Sequence, residues 1–357
     1  MDDASRDRRT GVATECRPVF ALSGYSGSGK TTLLEAVIPI LRRRGLSVAV
    51  LKHDVHGVDV DRAGKDSDRL FRAGADVVLR GPAETFARWH RDSDAGLERT
   101  VTSLLADHDL VLVEGHKGTP LPKIWLCREG ESEPPPGLSE VRCVLPWGRD
   151  RVDRAGAVIR RQLADAWSSR PVFGGILVGG RSERMGRPKQ LLEVSGRTFT
   201  EWVAGSLDGH VEAIALIGSG PVPGSHRDVP RLPDTPGLQG PIAGLVAALR
   251  WHRHAAWLIV ACDQPLVRSE AVAWLLERRA PGRWAVMPRP SGGAVEPFLA
   301  LYEPQALSLF EGRIGSAETA PGAISDHPKV ECPVPPTGVA ECWRSVNTPE
   351  EYEALRR

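Results

Sequence analysis

Gly24-Tyr25-Ser26-Gly27-Ser28-Gly29-Lys30-Thr31 satisfies G-x-x-x-x-G-K-[ST] and stands between an apolar run, Val19 to Ser23, and a helix-forming segment. That spacing permits phosphate binding. Glycines let backbone N–H groups turn inward, and the helix start adds free donors and a favourable dipole. Lys30 then reaches the β- and γ-phosphates, and Thr31 offers its hydroxyl to Mg²⁺. The candidate contacts are Gly24, Gly27, Ser28, Gly29, Lys30, Thr31 and Thr32. A glycine turn that merely starts a helix would not need the lysine and threonine at these positions. Asp109 to Gly115 (DLVLVEG) reads as a buried strand ending in an acid, so Glu114 is the candidate Mg²⁺ contact of this loop. Asp109 opens the strand at the opposite end and suits a cap or turn better than a metal. His53 and His56 would make a metal pair, but no third soft ligand accompanies them.

A second loop, Leu177 to Lys189 (LVGGRSERMGRPK), also follows an apolar strand, yet it is neither a Walker A loop nor G-x-G-x-x-G. Gly179 and Gly180 allow a nucleotide close to the backbone, and Arg184 and Lys189 supply positive charge for a triphosphate. Lys189 is placed to stabilise charge on the α-phosphate and on departing pyrophosphate. Arg181 and Arg187 fit a solvated basic loop equally well. Asp263 ends the apolar strand Trp257 to Cys262, at the sheet edge where open α/β folds bind ligands, and its hard oxygens suit Mg²⁺. A turn-forming Asp before Gln264-Pro265 is the plainer alternative. Lys189, Asp263 and Arg184 are the candidate catalytic residues.

The elements needed to position these loops are legible in the same stretches. Strands are expected at 19–23, 47–52, 77–80, 85–89, 110–113 and 141–145. Helices are expected at 31–44, with Pro39 kinking it, and at 67–75, 97–106 and 150–167. Glu131 to Gly137 (ESEPPPG) is a surface loop. After a short linker at 168–171, strands at 172–178, 213–217, 257–261, 284–287 and 297–302 alternate with helices at 198–207, 242–251 and 269–278. The fold class is α/β in two domains: a P-loop NTPase-like domain over 18–168, preceded by a flexible tail at 1–17, and a Rossmann-like domain over 171–357. The length of 357 residues accommodates two domains at roughly 100 to 200 residues each. A net charge of +1 gives no general pull toward nucleic acid or a membrane surface, so phosphate recognition must be local. The six scattered cysteines read as reduced core thiols. With no secretory or membrane-spanning apolar segment, a soluble, cytoplasmic protein is expected.

The blocks GYSGSGKTTLLEAVIPIL, VAVLKHDVHGVDVDRAGKDSDRLFRAGAD and DLVLVEGHKGTPLPKI closely resemble the molybdopterin-guanine dinucleotide biosynthesis adapter family, MobB, across about residues 18 to 168. That resemblance implies a GTP-binding protein that assists a nucleotidyltransferase and often pairs as a homodimer. The N-K-x-D motif by which ordinary GTPases read their base is absent. From residue 171 onward, GGILVGGRSERMGRPKQLLEVSGRTF, PDTPGLQGPIAGLVAAL, IVACDQPLV, EPFLALY and SVNTPEEYEAL resemble the molybdenum cofactor guanylyltransferase family, MobA. By that resemblance the Rossmann-like domain is expected to be a nucleotidyltransferase domain. Carried over by position, Leu177, Val178 and Gly179 contact the nucleotide, Lys189 the phosphates, Asp234 the guanine side and Asp263 the Mg²⁺. Asn347 falls in the segment that, by the same resemblance, lies near the pterin or the active site. Pro188 replaces an Asp common in the guanine enzymes and, with Asp263-Gln264-Pro265-Leu266, looks more like the cytidylyltransferases. Gly179-Gly180 and PGLQGPIAG look more like the guanine enzymes, and the adapter half tips the balance to GTP.

The resemblance implies transfer of GMP from GTP to molybdopterin or Mo-molybdopterin, with molybdoenzymes or their chaperones receiving the product. A CTP-dependent cytidylyltransferase and a non-catalytic, GTP-responsive cofactor-binding module are the rivals.

Overall fold

The computed structural model describes residues 17–52, 61–90, 96–179, 185–314 and 320–357. In the first half the elements run β1 (Val19–Ser23), α1 (Lys30–Arg43), β2 (Val48–Lys52), α2 (Asp66–Arg72), β3 (Val77–Arg80), β4 (Thr85–Arg88), α3 (Gly96–Asp107), β5 (Leu110–Glu114), β6 (Lys123–Leu126), β7 (Val141–Leu145) and α4 (Arg151–Ser168). Both β1 and β5 are buried at every position, as parallel strands covered on two faces must be. The sheet order is β2-β5-β1-β6-β7, with every pairing parallel. On one face α1 and α4 bury Leu33, Leu41, Ile159 and Trp167, and on the other Val101 of α3 meets Val111 and Val113. The helix α1 runs through Pro39. A separate antiparallel hairpin joins β3 and β4.

Strand β6 is the main departure from expectation. It lies beside β1, in a stretch where no strand is expected, and begins at a lysine directly after Pro120 and Pro122. Lys123 is nevertheless fully buried, its ammonium donating to the carbonyls of Thr119 and Leu121.

In the second half come β8 (Val172–Leu177), β9 (Glu193–Val194), β10 (Arg197–Thr198), α5 (Phe199–Leu207), β11 (Ala213–Ile217), β12 (Arg231–Leu232), α6 (Pro241–Trp251), β13 (Ala256–Ala261), α7 (Ser269–Leu276), β14 (Ala285–Val286), β15 (Ala300–Tyr302), α8 (Ala306–Glu311), β16 (Val330–Glu331) and α9 (Pro349–Arg356). The sheet order is β12-β11-β8-β13-β15-β14-β16. Pairings from β12 to β13 are parallel, β15 is antiparallel to both neighbours, and β14 pairs parallel with β16. The expected strand at 297–302 shrinks to its last three residues, because Leu299 takes a left-handed φ of 52° and Phe298 before it lines the cleft.

The connection between halves is pinned. Arg170 and Arg279 both pair with the buried carboxylate of Glu303, at 2.7 and 2.8 Å, and Arg279 also donates to the carbonyl of Trp167. A second anchor is Asp109, which is fully buried. Its carboxylate accepts from the Ser47 amide (2.7 Å) and hydroxyl (2.9 Å) on its own side, and from Trp284 Nε1 (2.7 Å) and Lys329 Nζ across the junction. Lys329 also donates to the carbonyl of Gly45, and Gln305 to that of His108. The residue expected to be a cap or turn is thus a tie between the two sheets.

Candidate functional site: two nucleotide edges

At the C-terminal edge of the first sheet, the loop after β1 coils around α1. Gly27 and Gly29 take φ of 79° and 78°, which glycine alone adopts without strain. Gly24 is required for a different reason: a Cβ there would stand 2.4 Å from Ser28 Oγ and 2.6 Å from the Leu126 carbonyl. Lys30 Nζ folds back onto the carbonyls of Gly24 (3.2 Å) and Tyr25 (2.9 Å). Burial lowers the Lys30 pKa, Glu114 opposes that shift, and nearby Lys117 and Lys52 add to it. Thr31 Oγ1 donates to Glu114 Oε1 at 2.8 Å, so the two residues expected to share a cation already touch, while Thr32 is exposed on the same first turn. His53 and His56 lie outside the described residues.

The second edge is a composite cleft of about 860 Å³. Leu177, Val178 and Gly179 line one wall where β8 ends. Another wall is lined by Asp234, just after β12, and by Gly240 and Pro241 at the start of α6. That helix approaches closely because Gly244 has no Cβ, which would sit 2.7 Å from Ile217 and 2.8 Å from Leu177. At the centre Lys189 Nζ donates to Asp263 Oδ2 (3.0 Å) and to Asn347 Oδ1 (2.6 Å). These three residues come from three remote segments. The terminal segment is fixed by the Val346 amide on the Asp263 carbonyl (2.8 Å) and by a Thr348–Glu351 capping box that starts α9. Glu351 also accepts from the Asn347 amide at 2.6 Å, and these backbone bonds hold its carboxyl below the usual range.

Lys189, Asp263, Asn347, Asp234 and Leu177 to Gly179 therefore meet at one cleft. Gly180 and Arg184 lie outside the described residues. Three neighbours were not singled out from the sequence. Met185 and Phe298 add apolar lining. Glu296 is close enough to Asp263 that burial first, and that carboxylate second, raise its pKa. Its place in the EPFLALY block was the available signal. Burial, reinforced by Asp263, pushes the Cys262 thiol up to about 12, so Cys262 is no thiolate nucleophile. Among the described residues, no group of three or more His, Cys, Asp or Glu side chains could hold a metal ion. Nor is any helix among them long and apolar enough to cross a membrane. The cysteines at 127, 143, 262, 332 and 342 are free.

Residues 19–145 match the family described as molybdopterin guanine dinucleotide synthesis protein B, and residues 174–324 match the MobA-like NTP transferase domain. The first half is 41% identical over 134 residues to the molybdopterin-guanine dinucleotide biosynthesis adapter protein of Haemophilus influenzae, covering 34% of this chain and 70% of that protein. The second is 33% identical over 189 residues to the molybdenum cofactor guanylyltransferase of Rhizobium meliloti, covering 49% of this chain and 86% of that protein. The chain belongs to both families, joined end to end. A molybdenum cofactor biosynthesis bifunctional protein of Synechocystis is 27% identical over 201 residues, covering 52% of this chain and 54% of that protein. The cleft around Lys189 thus lies in a nucleotidyltransferase domain, and the loop at Gly24 lies in an adapter domain.

Proposed function

We propose that the transferase half moves GMP from GTP to the terminal phosphate of molybdopterin, with or without molybdenum, while the P-loop half binds GTP as an assisting adapter. The division falls between residues 168 and 171. The observation that carries the reading is the convergence of Lys189, Asp263 and Asn347 in one cleft that also presents the backbone of Leu177 to Gly179. An oxygen of the acceptor phosphate bonds to the α-phosphorus of GTP, the bond from that phosphorus to the bridging oxygen breaks, and its electron pair leaves with pyrophosphate. The attacking phosphate is already anionic and needs no general base, so the protein's task is alignment and charge neutralisation.

Lys189 is held where its ammonium can pass from Asp263 to the phosphates, and Asp234 faces the base from the α6 wall. Gly180 and Arg184 complete this assignment on the same loop. The carboxylate of Asp263 in the cleft offers hard oxygens that suit Mg²⁺, as do Glu114 and the Thr31 hydroxyl at the P-loop. Bound there, the ion would neutralise triphosphate charge. The product would pass to a molybdoenzyme or its chaperone.

The test is incubation of the purified protein with molybdopterin and GTP, CTP or ATP in turn, reading dinucleotide and pyrophosphate by mass. Guanine dinucleotide with GTP alone is expected. Product only from CTP would overturn the base assignment, and absence of pyrophosphate with every nucleotide would overturn catalysis.

A further inference from the structure

Guanine recognition at the P-loop needs an acceptor for the N1–H and N2–H₂ donors of the base, and the chain lacks N-K-x-D to provide one. The sheet order narrows where a substitute can stand. Because β1, β6 and β7 are parallel neighbours, the loops that follow them share one edge. The loop after β7 is two strand spacings, about 10 Å, from the phosphate cradle. That loop is Pro146 to Asp150, and α4 begins directly after it.

Trp147 is 50% exposed there, although it is among the largest apolar side chains in the protein. Its ring is 3.7 Å from where a Cβ on Gly29 would be, so it abuts the P-loop itself. Arg151 lies over the same ring at 5.0 Å. Its guanidinium is buried and donates to the carbonyls of Ser28 (2.8 Å), Pro146 (3.2 Å), Leu145 (3.0 Å) and Cys127. One side chain therefore locks the P-loop and the loop after β7 into a rigid unit. Asp150 occupies the N-cap position of α4 without making a capping bond. Its ion pair with Arg154 is 3.8 Å long and exposed on both sides. Instead the carboxylate folds back over Gly148, the residue after Trp147, with Oδ1 3.1 Å from where a Cβ on that glycine would be.

We infer that Trp147 to Asp150 is the base-reading element of the P-loop site, Trp147 stacking on the purine and Asp150 accepting from guanine N1–H and N2–H₂. This rests on the reading of the P-loop half as a GTP-binding adapter. Stacking on an indole is indifferent to base identity, whereas the carboxylate matches guanine and opposes the acceptor nitrogen of adenine.

The test uses the full chain carrying Lys189→Ala and Asp263→Asn, which silences turnover, with calorimetric titration of GTP, ATP and xanthosine triphosphate in parallel with and without Lys30→Ala, so that the difference between the two reports the P-loop. GTP binding unchanged in stoichiometry and affinity by Lys30→Ala would mean the P-loop is not a nucleotide site, and the parent reading would fail. With Lys30-dependent binding established, Asp150→Asn is expected to weaken GTP about tenfold and to strengthen xanthosine triphosphate about tenfold, because the new amide donates to the xanthine carbonyl. A GTP loss without that gain, or an unchanged ratio, overturns the role of Asp150. Trp147→Ala should weaken GTP and xanthosine triphosphate alike by about tenfold, with Trp147→Phe recovering most of it. Unchanged affinity in Trp147→Ala overturns the stacking assignment.

Discussion

The two glycine loops grow from the same kind of strand-to-helix edge, yet their lysines rest differently. Lys30 lies on carbonyls of its own loop, within six residues, whereas Lys189 reaches Asp263 and Asn347, 74 and 158 residues away. The first is a local device that can cradle a phosphate once its own backbone is turned. The second exists only when β8, β13 and the terminal segment have been assembled, which suits a site where two substrates must be aligned. The junction separates them further. Asp109, Trp284 and Lys329 all stand at the strand-start edges of their sheets, opposite to the edges that carry the loops. Both loops therefore stand at the edges away from these junction contacts, and assistance by the P-loop half would pass through the junction or act on another molecule.

That contrast can be broken most sharply at Asp263. Asp263→Asn should lower dinucleotide formation by about a thousandfold or more, as loss of a charge-neutralising group in phosphoryl transfer does, while Lys30-dependent nucleotide binding persists. Substantial residual turnover would remove Asp263 from the metal assignment. Lys189→Ala comes next, with an expected fall of about a hundredfold in kcat, since one preorganised cation is lost from the transition state. An effect confined to KM would make Lys189 a binding residue only.

At the junction, Asp109→Ala strands Trp284 Nε1 and the Ser47 amide in a buried setting and removes the partner of Lys329. A loss of about 3 kcal/mol is expected, with a single thermal transition splitting into two as the halves uncouple. An unaltered melting profile would show that the halves are held elsewhere. The smallest effect is expected from Gly24→Ala, which crowds the Leu126 carbonyl and should weaken P-loop nucleotide binding by about tenfold while transfer in the other half is unchanged. An equal fall in transfer would show instead that P-loop occupancy acts on the other half through the junction.

The shape of the P-loop was legible in the residues because it is local: glycines at 24, 27 and 29, a lysine and a threonine determine how the backbone turns and where the ammonium lies. Lys189, Asp263 and the α/β alternation were legible for a related reason, since residues at the ends of apolar strands in open sheets fall at the ligand edge. The buried partners were not. Strand β6 is built from Lys123 among prolines, which only neighbouring carbonyls make tolerable in the interior. Asp109 looked like a strand-end polar residue, and nothing near it in sequence announces Trp284, 175 residues on, or Lys329, 220 residues on. Glu296 acquires its raised pKa from burial and from Asp263, neither of which is local. Sequence alone determined which segments turn tightly and at which edge of each sheet the glycine loops stand, because those follow from short-range sterics and strand direction. Only the tertiary structure decided which charges face one another across long separations, because a buried ion must be paired by whatever the fold brings within hydrogen-bond reach.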